Sequence, residues 1–530
     1  MQIVLNGFMG TGKTTIGKIL AHRLGCQFYD LDDVIEKEEG KSVEQIFRDH
    51  GEQYFRAVES SKLTDVLKKE GVIALGGGAL KNSTNLEAVL SQDNLLIGLC
   101  CNAGEIVKRV QNDDVVRPLL KNEEEPVLKV QQLLEERQNI YQHFDMQMDT
   151  TNLTPDQVAL TIEQCAVPKM SRVTYPDGSY PIFVGRDLLN SLGTFIKHRN
   201  KARKVAIVTN EIVGDLYLDA VLRSLKEQSI ETAVILVPDG EDGKNLDTVK
   251  GIYDQLAEMG VDRSSILLAL GGGITGDMCG FAAASYMRGI SYIQVPTTLL
   301  SMVDSSIGGK TGVNIPAGKN LVGAFKQPEM VVMDLDVLQT LPDEELLNGF
   351  GELIKHGFIA DAALVNSIEK FGGSIKELIH QEQFPAILFQ SLQVKRKVVQ
   401  IDPFEKKERM TLNFGHTLGH AIEKASNHQI PHGQAVLIGM WFAILLSERL
   451  NGLPGNEVMK LSKIYDQFNL PHNLNGYKIS DLKKYIKMDK KKKDETYRWI
   501  LLNHIGEAVI RNYSTIEEMD ELLESMGAIQ

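Results

Sequence analysis

Short apolar runs that end in glycine alternate with longer stretches of helical periodicity along the first third of the chain. IVLNG, VIALGGG and LLIGLC have the length and branching of buried strands. TTIGKILAHRLG and EPVLKVQQLLEERQNIYQHF repeat their apolar positions with helical spacing. The pattern predicts an α/β domain over 1–165, a parallel sheet with flanking helices. In AVPKMSRVTYPDGSYPIFVG, the prolines and the YPDGSY turn predict a linker over 166–172 leading into a β-hairpin. A second βα series begins at Lys204–Asn210 (KVAIVTN), runs through TAVILVPDGED and SILLALGGG, and ends near YIQVPTT. It assigns 173–328 to a second α/β domain. Beyond about Pro328, ELLNGFGELIKHGFI, FPAILFQSLQVKRKVVQI and HTLGHAIEKAS predict an all-helical domain over 329–530, with one late strand in YRWILLNHIG.

At 530 residues the chain exceeds one ordinary domain, in keeping with this division. A net charge of −13 argues against a general nucleic-acid surface, so basic clusters read as specific anion sites or solvated faces. Five cysteines, none in a C-x-x-C pair, point to buried apolar roles in a reducing compartment. The chain enters a strand directly, without the basic and apolar regions of a signal peptide. No apolar run in the sequence approaches the roughly 20 residues that span a bilayer. The expectation is a soluble, cytoplasmic protein without nucleic-acid or membrane partners.

Gly7-Phe8-Met9-Gly10-Thr11-Gly12-Lys13-Thr14 fits G-x-x-x-x-G-K-[ST] between a strand and a helix, the context this phosphate-binding motif needs. Gly10 and Gly12 let backbone amides curl around phosphate oxygens, and the helix start at Lys13, Thr14 and Thr15 adds favourable partial charge. Lys13 then reaches the β/γ-phosphates of ATP, and the Thr14 hydroxyl ligates Mg²⁺. Asp30 and Asp32 fall at a strand end, on one side at period 2. Arg56 lies on a helix, and Gly76-Gly77-Gly78 ends a strand in bare backbone. Arg117-Pro118-Leu119-Leu120 sits in a polar segment able to close as a lid, and Glu136-Arg137 precedes Tyr141 on the last long helix.

In this order the P-loop, D-x-D, F-R-x-x-E, G-G-G, R-P-L-L and E-R-x-x-x-Y motifs resemble shikimate kinase over the whole of 1–165. The resemblance implies that Asp32, Arg56, Gly77, Gly78 and Arg137 hold shikimate. Arg56 and Arg137 would clamp its carboxylate, a task suited to planar guanidinium forks. Asp32 would orient the attacking hydroxyl, and Asp30 would help organise Mg²⁺. Arg117 on the lid would stabilise charge on the transferred phosphoryl group.

Gly271-Gly272-Gly273-Ile274-Thr275-Gly276-Asp277 lacks the G-x-G-x-x-G spacing, yet it too joins a strand to a helix. Pro238-Asp239-Gly240-Glu241 with Lys244, and Pro296-Thr297-Thr298, end other strands, so a cofactor crevice at these strand ends is expected. Further on, His416 and His420 share one helix face, a weak metal signal by itself. Glu352 with His416 and His432 would make three ligands with an open position, the arrangement of catalytic rather than structural zinc; Co²⁺ or Fe²⁺ would also fit. Arg288, Lys310, Lys319, Lys355, Lys395 and Arg409 cluster in the surrounding motifs and imply a strongly anionic substrate.

DGE-x-x-K, GGG-x-x-GD, Y-x-RG, PTTLL, VDSSIGGKTG-x-N, GKN, E-x-x-K, LN-x-GHT-x-GHAIE and PHG, in this order over about 170–530, resemble 3-dehydroquinate synthase. The resemblance implies a substrate, 3-deoxy-D-arabino-heptulosonate 7-phosphate, that is transiently oxidised by NAD⁺, loses phosphate, is reduced again and closes to 3-dehydroquinate. It implies NAD contacts from Glu241, Lys244, Gly272, Gly273, Asp277, Thr297, Thr298 and Lys319. Lys355 and Asn320 would position the substrate beside Zn²⁺ or Co²⁺. Arg288, Lys310, Asn413 and His420 would hold or deprotonate around its phosphate end. Lys395, Arg409 and Lys490 would complete the anion pocket, and Asp304 would orient the reacting carbohydrate. The chain departs from the family pattern at Gln434 (usually Glu), at Glu344-Glu345, and in Asp402-Pro403-Phe404-Glu405-Lys406-Lys407-Glu408-Arg409.

Two unlike nucleotide sites on one chain therefore suggest two fused enzymes of one biosynthetic route, acting on non-adjacent steps. The family resemblance implies that the synthase part pairs as a homodimer. Two other readings stay open. A metal- and NAD-dependent alcohol dehydrogenase would accumulate NADH and leaves Lys310, Lys319 and Arg409 without a task. A nucleotide-regulated scaffold leaves Asp32, Arg56 and Arg137 without one.

Overall fold

The strand QIVLNG (β1, Gln2–Gly7) is buried along nearly its whole length, as a continuous apolar run in the middle of a parallel sheet requires. The computed structural model describes residues 2–111, 125–165, 169–176, 178–200, 202–402, 408–427, 429–489, 497–513 and 519–529. The chain divides into two units. The first comprises Met1–Phe183, Leu188–Val205 and Ala220–Thr232; the second comprises Val184–Asp187, Ala206–Asp219 and Ala233–Gln530.

In the first unit, β1 is joined by β2 (Phe28–Asp30), β3 (Gly71–Ala74), β4 (Leu95–Cys100) and β5 (Met146–Asp149). The sheet order is β2-β3-β1-β4-β5, with all neighbours parallel. One core of this unit joins Val4, Ile73 and Leu96 of the sheet to Ile35, Ile46, Phe55 and Leu63 of the helices. The stretch read as one helix over 125–144 is broken. Helices Pro126–Glu135 and Gln138–Tyr141 are separated by Glu136, the C-cap of the first, and Arg137, the N-cap of the second (φ −100°, ψ 0°).

The hairpin strands β6 (Lys169–Tyr175) and β7 (Gly178–Gly185) follow, then the helix Leu192–Asn200. Residues 169–172, expected in a linker, already form β6, and Met170, Ser171 and Arg172 are buried.

The second unit contains most of β8 (Lys204–Thr209) and β9 (Glu231–Leu236), and the whole of β10 (Ile266–Gly271), β11 (Ser291–Pro296) and the hairpin β12 (Lys310–Ile315) with β13 (Gly318–Phe325). A further strand, β14 (Met330–Asp334), pairs in parallel with β11 and gives the order β14-β11-β10-β8-β9. The sheet thus reaches past the expected boundary at 328/329, because the apolar run MVVMD is fully buried beside β11. The helical region opens at the helix Asp343–Ala360 and is not all-helical. Its late strand β15 (Tyr497–His504) has an antiparallel partner, β16 (Glu507–Tyr513). Trp499 and Leu501 of β15 pack into a core with Leu418, Ile438 and Phe442.

The helix His432–Asn451 is, among the described residues, the one helix long and apolar enough to cross a membrane, a segment the sequence reading passed over. Two thirds of its apolar stretch is buried in the unit's core, which is what an all-round hydrophobic helix inside a large domain looks like.

Candidate functional site

The first site forms where β1 ends. Gly10 and Gly12 take positive φ (74° and 92°), and Gly12 is the N-cap of the helix Lys13–Arg23. A side chain at either position would be strained, so the loop can curl only with glycine there. Lys13 Nζ folds back and donates to the carbonyls of Gly7 (2.9 Å) and Phe8 (3.1 Å). Thr14 donates to Asp30 Oδ2 at 2.7 Å, and Thr15 is exposed one residue on.

Asp30 and Asp32 do not share a strand. Asp30 caps the helix Leu31–Glu39, accepting from the Asp32 amide at 3.1 Å, so Asp32 lies in the first helical turn. The preference of aspartate for satisfying free helix amides wins over the period-2 reading. A Cβ at Gly76 would lie 2.7 Å from Glu59 Oε1 and 3.0 Å from Asp32 Oδ1, so bare backbone lets both carboxylates close on the end of β3. Arg56 pairs with buried Glu59 (2.8 Å) and with Glu52 (3.2 Å), and it lies against Gly78. Arg137 donates to the Gly77 carbonyl at 2.6 Å and stacks 4.6 Å from the Phe8 ring centre. It is buried, and burial pulls its pKa down. Its Nε has no hydrogen-bond partner. Two guanidinium groups thus flank Gly77–Gly78 beside the phosphate loop. Glu59, the last residue of F-R-x-x-E, had been given no task; its i,i+3 spacing from Arg56 is the signal that could have assigned it. Arg117 lies outside the described residues.

In the second unit β10 ends at Gly271 and Gly272 caps the helix Gly273–Ser285. Thr298 lies against Gly272, and buried Thr297 donates its amide to the Gly271 carbonyl at 3.0 Å. Lys244 donates to both Asp277 and Asn320, at 2.6 Å each. Glu241 accepts from Asn314 at 2.7 Å, and Asn314 accepts from the Asn320 amide at 2.8 Å. Lys319 Nζ stands 3.9 Å from Glu241. Desolvation pushes the Asp277 carboxyl up to about 6, against the pull of the Lys244 ammonium. The structure therefore ties Asn320, expected to position the substrate together with Lys355, to Lys244. Asn314, present in the sequence motif but given no task, links Glu241 to Asn320.

Three helices build the third cluster. Glu352 sits on Asp343–Ala360, His416 opens His416–Ala425 and His432 opens His432–Asn451. Glycines let these helices touch backbone to backbone. A Cβ at Gly433 would overlap the Asn348 carbonyl, and one at Gly439 would overlap the Gly415 carbonyl. Gly415 has φ 81° and meets the Met440 amide. As a result His416 Nε2 and His432 Nε2 come to 3.7 and 3.9 Å from Glu352 Oε1. That oxygen is buried and has no hydrogen-bond partner. Glu352 Oε2 is taken by the buried Lys355 ammonium. Desolvation and then the Lys355 charge hold His416 well below the usual histidine range, so its ring is neutral. Desolvation opposes protonation of His432, but Glu423 and Glu352 hold it above that range. A lone carboxylate oxygen facing two ring nitrogens fits a divalent cation with an open coordination position.

His420 lies one turn along, with ring centroids 5.4 Å from His416 and 6.0 Å from His432. Asp304 pairs with buried Lys395. Desolvation alone would raise Asp304, but Lys395 and Lys355 hold it well below the carboxylate range. The Arg409 guanidinium, buried, lies against Gly308, and Asn413 ends the short turn before Gly415. Lys310 is exposed at the start of β12. Arg288 is exposed on a turn where it and Met287 both take positive φ. Lys490 and residues 403–407 lie outside the described residues.

The profile described as "Shikimate kinase" matches residues 9–166, that described as "3-dehydroquinate synthase N-terminal" matches 234–348, and "3-dehydroquinate synthase C-terminal" matches 349–492. The 3-dehydroquinate synthase of Streptococcus suis (strain 05ZYH33) is 40% identical over 353 residues, covering 66% of this chain and 99% of that protein. Among solved structures, 2-deoxy-scyllo-inosose synthase complexed with carbaglucose-6-phosphate, NAD+ and Co2+ superposes with TM-score 0.61 and 25% identity, covering 68% of this chain and all of that one. The 2-epi-5-epi-valiolone synthase ValA from Streptomyces hygroscopicus subsp. jinggangensis 5008, with NAD+ and Zn2+ bound, gives TM-score 0.60 and 26% identity over 67% of this chain and 98% of that one.

Proposed function

Since the chain belongs to the 3-dehydroquinate synthase family and carries a shikimate kinase domain ahead of it, we propose which residues run each half of this bifunctional shikimate-pathway enzyme. One half phosphorylates shikimate from ATP; the other converts 3-deoxy-D-arabino-heptulosonate 7-phosphate to 3-dehydroquinate and phosphate. In the kinase half, Arg56 and Arg137 clamp the shikimate carboxylate across Gly77–Gly78. Asp32 accepts a hydrogen bond from the attacking hydroxyl and orients it. Lys13 leaves its backbone carbonyls for the phosphates of ATP, and Thr14 and Asp30 serve Mg²⁺.

In the synthase half, Glu352, His416 and His432 hold Zn²⁺ or Co²⁺. Lys244, Asp277, Glu241, Lys319 and the Gly272–Gly273 turn, with Thr297 and Thr298, hold NAD. The metal supplies Lewis acidity and NAD a reversible hydride acceptor when they are bound. Lys355, fixed by Glu352, aims a positive charge at the same place and favours an oxyanion there. Lys395, fixed by Asp304, and Arg409 supply the cationic wall for the substrate phosphate, with Lys310, Arg288 and Asn413 as further contacts. His420 exchanges the proton beside them. Buried Glu352 Oε1, unpartnered and faced by two imidazole nitrogens, carries this reading. This reading sets the kinase at 1–165, supported by the profile match over 9–166, and the synthase at about 173–530, supported by the matches over 234–492; it takes the synthase part to pair with a second copy and the protein to be cytoplasmic.

The test gives the full-length, zinc-loaded protein heptulosonate phosphate and NAD⁺ without ATP, and follows phosphate and NADH together. Phosphate release without lasting NADH is expected; NADH build-up without phosphate would mean a dehydrogenase instead. In the kinase assay, Lys13→Met should lower kcat by about 10²–10³, the usual effect of removing one transition-state charge contact, and leave phosphate release from heptulosonate phosphate unchanged. Equal kinase rates in the two proteins would refute the assignment of Lys13.

A further inference from the structure

The two histidines at the metal cluster are held in different ways. The His416 ring is buried, and its Nδ1 lies 3.2 Å from the Phe414 carbonyl, a backbone acceptor that cannot swing away. His432 is the first residue of its helix, behind Pro431, and a third of its side chain is exposed. Packing alone leaves this ring the freer of the two. Its Nδ1 lies 3.3 Å from Glu423 Oε2, and the Glu423 side chain is largely enclosed.

Glu423 follows His416 at i+7 and His420 at i+3 on one helix, so the three project from one face. The same stripe that carries a ligand also carries the acceptor for the ligand from the next helix. With Nδ1–H directed at Glu423, the His432 lone pair sits on Nε2, the atom 3.9 Å from Glu352 Oε1. An anionic acceptor also makes the ring a stronger donor to a cation.

We propose that Glu423 is a positioning residue: it takes the Nδ1–H of His432, fixes that ring's tautomer and aims its Nε2 into the Glu352–His416 pair. This rests on Glu352, His416 and His432 being the metal ligands. The ligating atoms of His420, Glu423 and His432 also lie within 4.8 Å of one another, so a cation bound directly by Glu423 is the competing arrangement that the test must separate.

The experiment titrates Co²⁺ into the full-length, metal-free protein, without NAD or substrate, against a chromophoric chelator, and records the visible Co²⁺ spectrum at saturation. Glu423→Ala should weaken Co²⁺ binding by about 10–100-fold, the usual effect of losing a residue that orients a histidine ligand. Glu423→Gln keeps an acceptor in place but loses the charge, so it should weaken binding severalfold and leave the saturated spectrum unchanged. Far-ultraviolet circular dichroism and its thermal unfolding curve report whether each variant is folded. Should the alanine variant fail to fold, the glutamine variant decides alone. Affinity within twofold of the parent in a folded Glu423 variant would overturn the proposal. A changed spectrum in saturated Glu423→Gln would overturn it too, because Glu423 would then be a direct ligand. His416→Ala is the reference: loss of its Co²⁺ binding upholds the ligand set, whereas retained binding refutes that set rather than the task of Glu423 alone.

Discussion

Replacing His416 with alanine is expected to cut phosphate release from heptulosonate phosphate by about a thousand-fold or more, while ATP-dependent shikimate phosphorylation stays at the parent rate. The size follows from the several kcal/mol that a Lewis-acid cation contributes, at about 1.4 kcal/mol per tenfold. His416 is the more buried of the two ring ligands, and its position is set by the backbone contacts at Gly415 and Gly439. Chelation of the parent protein should give the same selective loss, reversed by Zn²⁺ or Co²⁺. The two rates are measured on one preparation. Circular dichroism at the parent's level shows that the variant is folded, and a folded variant that keeps phosphate release has no metal ligand at this position.

The second large effect concerns stability. Arg172 on β6 is fully buried and spends its guanidinium on the residues around β4 and β5. It pairs with Asp145 through two nitrogens and donates to the carbonyls of Leu90 (3.3 Å) and Asn94 (3.2 Å). Asp145 in turn accepts from the Leu96 amide at 2.8 Å, at the start of the β4 ladder. Arg172→Ala strands that carboxylate in a dry interior, and removing one partner of such a pair costs about 3–5 kcal/mol. Urea unfolding of the full-length protein, followed by shikimate kinase activity, should show the loss at an unchanged synthase rate. Adding Asp145→Asn removes the stranded charge, keeps an acceptor for Leu96, and should restore part of the stability. A parent-like kinase unfolding curve for Arg172→Ala would show that the pair is not structural.

Features that depend on chain-local chemistry were legible in the sequence. Glycine runs at strand ends marked Gly10–Gly12, Gly76–Gly78 and Gly271–Gly273, because only bare backbone can turn so tightly against a ligand or helix. Asp30 and Asp32 were misplaced because a strand end and a helix cap have the same local composition, and only the onset of periodicity at Leu31 separates them. Glu423, Asn314 and Glu59 stood inside quoted motifs without tasks. What each does depends on which side chain of another helix or hairpin it faces, which no spacing along one element reveals. Arg172 was hidden for a related reason. SRVTY reads as an ordinary alternating strand, and nothing local says that its inward arginine meets β4 and β5.

The hairpin β6–β7 and the helix Leu192–Asn200 belong to the same unit as the kinase sheet. Besides Arg172, Arg199 donates to the Phe144 carbonyl at 2.6 Å, and His198 Nδ1 lies 3.2 Å from that of Gln147. The hairpin and helix that follow Cys165 are thus set into the kinase unit like a mortise joint. Arg172, His198 and Arg199 all lie beyond Cys165, the last residue of the helix Pro155–Cys165. A gene cut after Cys165 would yield a kinase that exposes the socket Arg172 normally fills.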